Sequence, residues 1–404
     1  MLMALILAVC LSPRIRLDLL PTENVDIRVQ DLLLPIGLAI LVLAPRGHGR
    51  LRWWATWGPW LPAFLWLATV VTLLHLWIND GAVSDLLRIA YFGRTVELFV
   101  LAGVLGGLFV RLGSAQGSPA ALRALHLAAA ANALWLAYQV VTGDIGTLFG
   151  EVGDSIESYG PKLVGEPSAF GTGAFWTFIA ALSVAERTTG VARARFAWAL
   201  MVAALAGVYF SQSRINLGLV LVLALLLLAA NEGPRRRIRI DVGAVFFAGM
   251  TAAIVVLLFG SQIAGRATPE ALASGLGVRV DGIWGPLLGV LSDNLLIGVG
   301  PGGLSAPDMP RDEAHNVALR AALDFGVVTG ALLLVALVVF AVAGRRASRD
   351  SASVETRWTG LFAALVIACT LATGMVQDAL TAVTSTHLMM IAVGLHMGAR
   401  PLQD

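Results

Sequence analysis

Hydrophobic runs divide this chain almost from end to end. Stretches long enough to cross about 30 Å of hydrocarbon recur, separated by short polar breaks. About twelve spans are expected, at 1–12, 31–44, 54–78, 88–110, 120–141, 168–186, 196–211, 214–231, 241–260, 320–343, 358–377 and 381–398. The pattern predicts an all-α, polytopic membrane protein of one transmembrane domain, 1–404. Its longest break is a loop of about 60 residues, 261–319, between the ninth and tenth spans. Runs of alternating polarity over about ten residues, the mark of a membrane barrel, play no part in this reading. The Met1–Leu11 run lacks a basic start and a small-residue cleavage site, so it is read as a retained first span.

Charge orients the spans. Arg46, Arg50, Arg52, Arg111, Arg123, Arg187, Arg193, Arg195, Arg235, Arg236, Arg237, Arg239, Arg345, Arg346, Arg349, Arg357 and Arg400 fall in alternate breaks, and most acidic residues fall in the others. By the positive-inside rule the arginine-rich breaks and both termini are cytoplasmic, and 12–30, 79–87, 142–167 and 261–319 face outward. Loops of this length are usually functional or disordered. Here Trp284, the apolar stretch Leu287–Leu296 and Gly298-Val-Gly-Pro-Gly-Gly303 predict a folded cap with a short helix along the membrane surface. The cap is thus a candidate catalytic loop.

Composition supports the membrane assignment, with 57% hydrophobic and 13% charged residues against roughly a quarter charged in soluble domains. The two cysteines, Cys10 and Cys369, lie far apart in apolar spans and read as small apolar residues. Basic residues mark one side of the membrane, so nucleic-acid binding has no support. No nucleotide-binding or metal-binding motif is present in the sequence, and neither a cofactor nor a metal is expected.

Arginines and one histidine carry the candidate chemistry. Arg214 sits in Ser211-Gln-Ser213-Arg214-Ile-Asn216, a tight outward turn opening a span. An arginine there can snorkel to headgroups, or join free helix N–H groups to grip a phosphate with its planar fork. Arg279 is an ordinary loop charge beside Asp281 or a second phosphate clamp. His315, in Arg311-Asp-Glu-Ala-His315-Asn316, is a structural loop histidine or a base near neutral pH, with Asn316 or a nearby acid fixing its tautomer. Glu166, in Gly165-Glu-Pro-Ser168, either accompanies a helix start or contacts the acceptor or an arginine. Arg88, Arg94 and Glu97 share one span, where ionisable groups need a cavity or a partner. Asp378 is a weaker candidate of that kind.

Taken in order, Gly165-Glu-Pro-Ser168, Ser211-Gln-Ser-Arg214, Arg279 followed by Trp284, Leu296-Ile-Gly-Val-Gly-Pro-Gly302 and His315-Asn316 with Leu319, Leu323, Gly326 and Gly330 resemble the O-antigen ligase and Wzy-type polysaccharide polymerase superfamily. The resemblance runs from the fifth span to the twelfth; the first 110 residues match in hydropathy alone. Two departures stand out: Ile215, where threonine is common, and a short stretch between Arg279 and His315. The resemblance implies a multi-span, metal-independent, inverting glycosyltransferase of a bacterial inner membrane with a periplasmic site. Its donor would be an undecaprenyl-pyrophosphate-linked glycan. Its acceptor would be another glycan, as in an O-antigen or exopolysaccharide polymerase, or the lipid A core, as in a ligase; a chain-length regulator protein is an implied partner. Arg214 and Arg279 would bind the pyrophosphate and His315 would act on the acceptor hydroxyl. Glu166, Ser213, Asn316, Arg88 and Arg311 would line the substrate site. A transporter or flippase is the rival from another class. It would account for the spans and the intramembrane charges, but no repeat relates the halves.

Overall fold

The structure, a computed structural model, describes residues 1–11, 14–20, 23–43, 59–78, 85–143, 162–165, 168–211, 213–230, 277–310, 313–377 and 383–400. These form α1 (Leu2–Leu11), β1 (Arg14–Leu20), β2 (Glu23–Arg28), α2 (Val29–Leu43), α3 (Trp60–Ile78), α4 (Asp85–Leu112), α5 (Ser114–Thr142), α6 (Ala169–Thr188), α7 (Ala194–Ser211) and α8 (Arg214–Ala229). The second half holds a π turn (Val280–Trp284), α9 (Gly285–Asp293), α10 (Val317–Phe325), α11 (Val327–Asp350), α12 (Val354–Gly374) and α13 (Val383–Ala399). Six of these helices, α3, α4, α5, α7, α11 and α12, are long and apolar enough to cross a membrane. The molecule is an α-helical, multi-pass membrane protein. The ninth expected span, 241–260, lies outside the described residues.

Two helices carry polar side chains that their position explains. α6 and α13 are enclosed by neighbouring helices over most of their length, so they carry buried Thr177, Ser183, Glu186, Ser385, His387 and His396. A helix shielded from lipid can afford such side chains where neighbouring helices supply partners. Close backbone approach does the packing. A Cβ at Gly394 or Gly398 of α13 would press on the carbonyl oxygens of Ala102 or Gly106 in α4, at 2.6 and 2.7 Å.

Helix ends sort onto two faces. On one, Trp358 Nε1 donates to Ser118 Oγ (3.1 Å), Thr356 Oγ1 to Ala399 O (2.6 Å) and Arg111 Nη1 to Ile40 O (2.9 Å). This face gathers Arg187, Arg193, Arg345, Arg346, Arg349, Arg357 and Arg400, as the alternation of charge predicts. On the opposite face Arg28 Nη1 donates to Thr384 Oγ1 (3.2 Å), and Asn316 Nδ2 to Met375 O (3.2 Å).

Two features depart from the expected elements. β1 and β2 pair antiparallel, with Ile15 opposite Ile27 and Leu17 opposite Val25. The alternation Arg-Ile-Arg-Leu-Asp-Leu is a period-two signal within what was expected to be a plain loop. The expected span 320–343 is instead broken into α10 and α11 at Gly326, whose φ of 82° ends one helix and redirects the next.

Candidate functional site

The stretch after the π turn folds as a cap with its own small core of Leu287, Leu291, Val299, Leu304, Ala314, Leu319, Ala322 and Leu323. α9 is the short helix expected within it. Trp284 Nε1 donates to Ala314 O (3.0 Å), tying the turn that follows Arg279 to the residue before His315. The backbone is stitched to the membrane helices at both sides of the glycine segment. Val299 N donates to Leu323 O (2.7 Å), and Val327 N donates to Leu295 O (2.9 Å). A side chain at Gly298 (φ 64°) would overlap the Leu323 carbonyl, so the approach there requires glycine.

Arg88 secures the same segment from below. It is buried on α4, and its Nη1 donates to Val299 O at 2.8 Å, while His75 Nε2 lies 3.2 Å from Ile297 O. The sequence suggested a substrate-binding role for Arg88; the structure places its guanidinium against the loop backbone under the cap. Replacing it with leucine is expected to lower stability by about 1.5–3 kcal/mol, the worth of a charged hydrogen bond. A matching fall in the unfolding midpoint in detergent would check this.

His315 occupies an unusual backbone conformation. Its φ of 46° is the one positive value at a non-glycine among the described residues. Such strain gathers at functional sites when the surroundings hold it. Nε2 lies 3.3 Å from Glu313 Oε2, and Nδ1 is buried with no hydrogen-bond partner among the described residues. Asn316 next to it is the N-cap of α10. Its Oδ1 accepts from the N–H groups of Ala318 and Leu319, both at 3.0 Å.

Arg214 opens α8 on the cap's side of the molecule. It is exposed and has no partner among the described residues. Ser213 precedes it at the N-cap position without capping; its Oγ instead accepts from Asn216 Nδ2 (2.8 Å). The first-turn N–H groups therefore lack the side-chain acceptor that Ser168 gives α6, Asn316 gives α10 and Ser353 gives α12. An uncapped helix start beside a guanidinium is suited to an anion. Gly173 lets α6 approach this turn, since a Cβ there would meet Ser213 and Asn216 at 2.7 and 2.8 Å.

Between α6, α8, α12 and α13 lies a small, partly open hollow lined by Phe170, Thr177, Asn216, Thr370, Thr373 and Ser385 among others. It borders two parts of the site, though Arg214, Arg279 and His315 do not line it. Asn216 belongs to the Arg214 turn, and Thr373 stands two residues before Met375, whose carbonyl accepts from Asn316. The structure thus sets Arg279 and His315 in one cap and Ser213 and Arg214 at the same face. Glu166, Arg311 and Asp378 lie outside the described residues. Gly165 is buried, and its segment is pinned by side chains of α5. Val164 N donates to Asn132 Oδ1 (3.1 Å) and Lys162 N to Gln139 Oε1 (2.9 Å).

A half-buried cluster emerges that spacing showed only in part. Arg94 Nη1 donates to Glu97 Oε2 (2.5 Å), and also to Asp31 Oδ1 (3.1 Å) on α2. His387 of α13 reaches Glu97 Oε1 at 3.3 Å. Asp31, Glu97 and His387 offer three ligand atoms within 4.8 Å of one another. Asp31 Oδ2 also accepts from the backbone N–H of Arg28 (2.9 Å), so all four carboxylate oxygens already face donors. The guanidinium stands where a metal cation would, so the cluster reads as an ion-pair network joining three helices. No sequence motif signals it, because its members come from positions 31, 94, 97 and 387. Neither a family model nor a curated protein matches the sequence.

Proposed function

We propose that this protein transfers a glycan from an undecaprenyl-pyrophosphate carrier to an acceptor hydroxyl at the outer face of a bacterial inner membrane. In this reading about twelve spans carry the site, both termini are cytoplasmic and the cap is periplasmic. The carrying observation is the grouping of Arg279 and strained His315 in one cap, on the face where the uncapped start of α8 presents Arg214. Two guanidinium groups offset the charge that grows on the leaving pyrophosphate as the bond to the anomeric carbon breaks. His315 takes the proton of the attacking hydroxyl, and attack opposite the leaving group inverts the centre. Positioning and fixed charge in a partly dry cleft supply the rate. The acceptor is another lipid-linked repeat, making the protein a polymerase; a ligase would use the lipid A core. Purified protein given undecaprenyl-pyrophosphate glycan and acceptor is expected to yield lengthened glycan in a metal chelator, measured by gel mobility of the product.

The Asp31–Arg94–Glu97–His387 network favours a second reading, a transporter, because ionisable groups within spans commonly line ion paths. Solute uptake by proteoliposomes without glycan transfer would decide for it.

A further inference from the structure

We propose that Glu313 is the positioning residue for His315, and that Nδ1 rather than Nε2 takes the acceptor's proton. This rests on the glycosyltransfer reading above and specifies which atom acts. Glu313 Oε2 lies 3.3 Å from Nε2 at ion-pair distance, and its negative charge favours the tautomer that carries hydrogen on that nitrogen. The neutral imidazole then carries its hydrogen on Nε2 and a bare lone pair on Nδ1. Nδ1 is the nitrogen that is buried and lacks a partner among the described residues. An orphaned acceptor in a buried setting is held ready for a hydroxyl that the protein itself does not provide.

Asn316 does not fill the positioning role. Its Oδ1 caps α10 with two N–H groups, and its Nδ2 donates to Met375 O. The positive φ of His315 turns the ring back toward Glu313, two residues earlier, and Trp284 holds the intervening Ala314 by its carbonyl. During transfer the acceptor O–H bond breaks and its proton passes to Nδ1. The oxygen forms the new bond to the anomeric carbon, and the old carbon–oxygen bond leaves with its electron pair on the pyrophosphate. The resulting imidazolium carries hydrogen on both nitrogens, beside a carboxylate that favours the charge. The His315 side chain is 28% exposed, so the acceptor approaches a ring that already borders solvent.

The test uses the full chain in detergent, labelled with ¹⁵N-histidine, with the His315 signal assigned by its loss in His315→Gln. Wild type is expected to show hydrogen on Nε2 and a bare Nδ1, and Glu313→Gln a mixture of tautomers. Glu313 is 60% exposed, so the variant should fold with an unchanged melting midpoint. Its kcat should fall about ten-fold with KM unchanged, a part of the roughly 10²–10⁴-fold that acid–base catalysis supplies. Hydrogen on Nδ1 in wild type, or a wild-type kcat in Glu313→Gln while His315→Gln is inactive, overturns the positioning proposal alone. Wild-type transfer by His315→Gln removes the base role and the glycosyltransfer site with it.

Discussion

Arg214→Ala, Arg279→Ala and His315→Ala should each cut glycan transfer by roughly 10²–10³-fold, the range seen when one preorganised electrostatic group is removed from a reacting centre. The three side chains have different structural obligations, which makes the set informative. Arg214 is exposed and has no partner among the described residues, so its loss should leave the fold within about 0.5 kcal/mol of wild type. His315 sits at a positive φ with one carboxylate beside it, and alanine there keeps the backbone strain, which only glycine would relieve. A drop in transfer with intact membrane insertion and melting is therefore a chemical effect. Product formation at the wild-type rate by all three variants would dismiss the site.

Gly326→Ala is expected to do the opposite, breaking structure before chemistry. Gly326 joins α10 to α11 at φ 82° and ψ 160°, a region that is essentially reserved for glycine. A methyl group there would also overlap the Leu296 carbonyl, one residue from the Leu295 oxygen that accepts from Val327 N. Strain of about 1–3 kcal/mol adds to the clash, so a total loss of about 3 kcal/mol or more is expected. The variant should melt several degrees lower, and protease should cut its cap faster. Gly218→Ala is the control. A Cβ at Gly218 meets nothing within 4 Å in the middle of α8, and alanine is the better helix former. If both variants melt alike, the cap does not depend on that junction.

The extent of what could be read from the residues follows from range. Helices α3, α4, α5, α7, α8, α11 and α12 were legible because apolar runs of span length have one stable solution in hydrocarbon. Ser168 and Asn316 are local signals too, since each caps the helix that begins at the next residue. The β1–β2 pair carried a period-two pattern that hydropathy over span-sized windows averages away. Gly326 belongs to the pattern after His315, but nothing local marks it as a break in the expected span, because its positive φ goes with the Leu296 carbonyl packed beside it. The reach of Arg88 to Val299, and of His387 to Glu97 across 290 positions, had no local signal at all.

By itself the sequence determined that this is a helical membrane protein and which breaks lie on the arginine-rich face. Those properties depend on composition and on spacing within one or two helical turns. Only the tertiary structure decided that Trp284 ties the turn after Arg279 to Ala314, that Arg88 supports the cap, and that Asp31 and His387 join the Arg94–Glu97 pair in one network. The physical reason is that burial and hydrogen-bond partners are set by packing between helices, where contact energy outweighs any preference written in neighbouring residues.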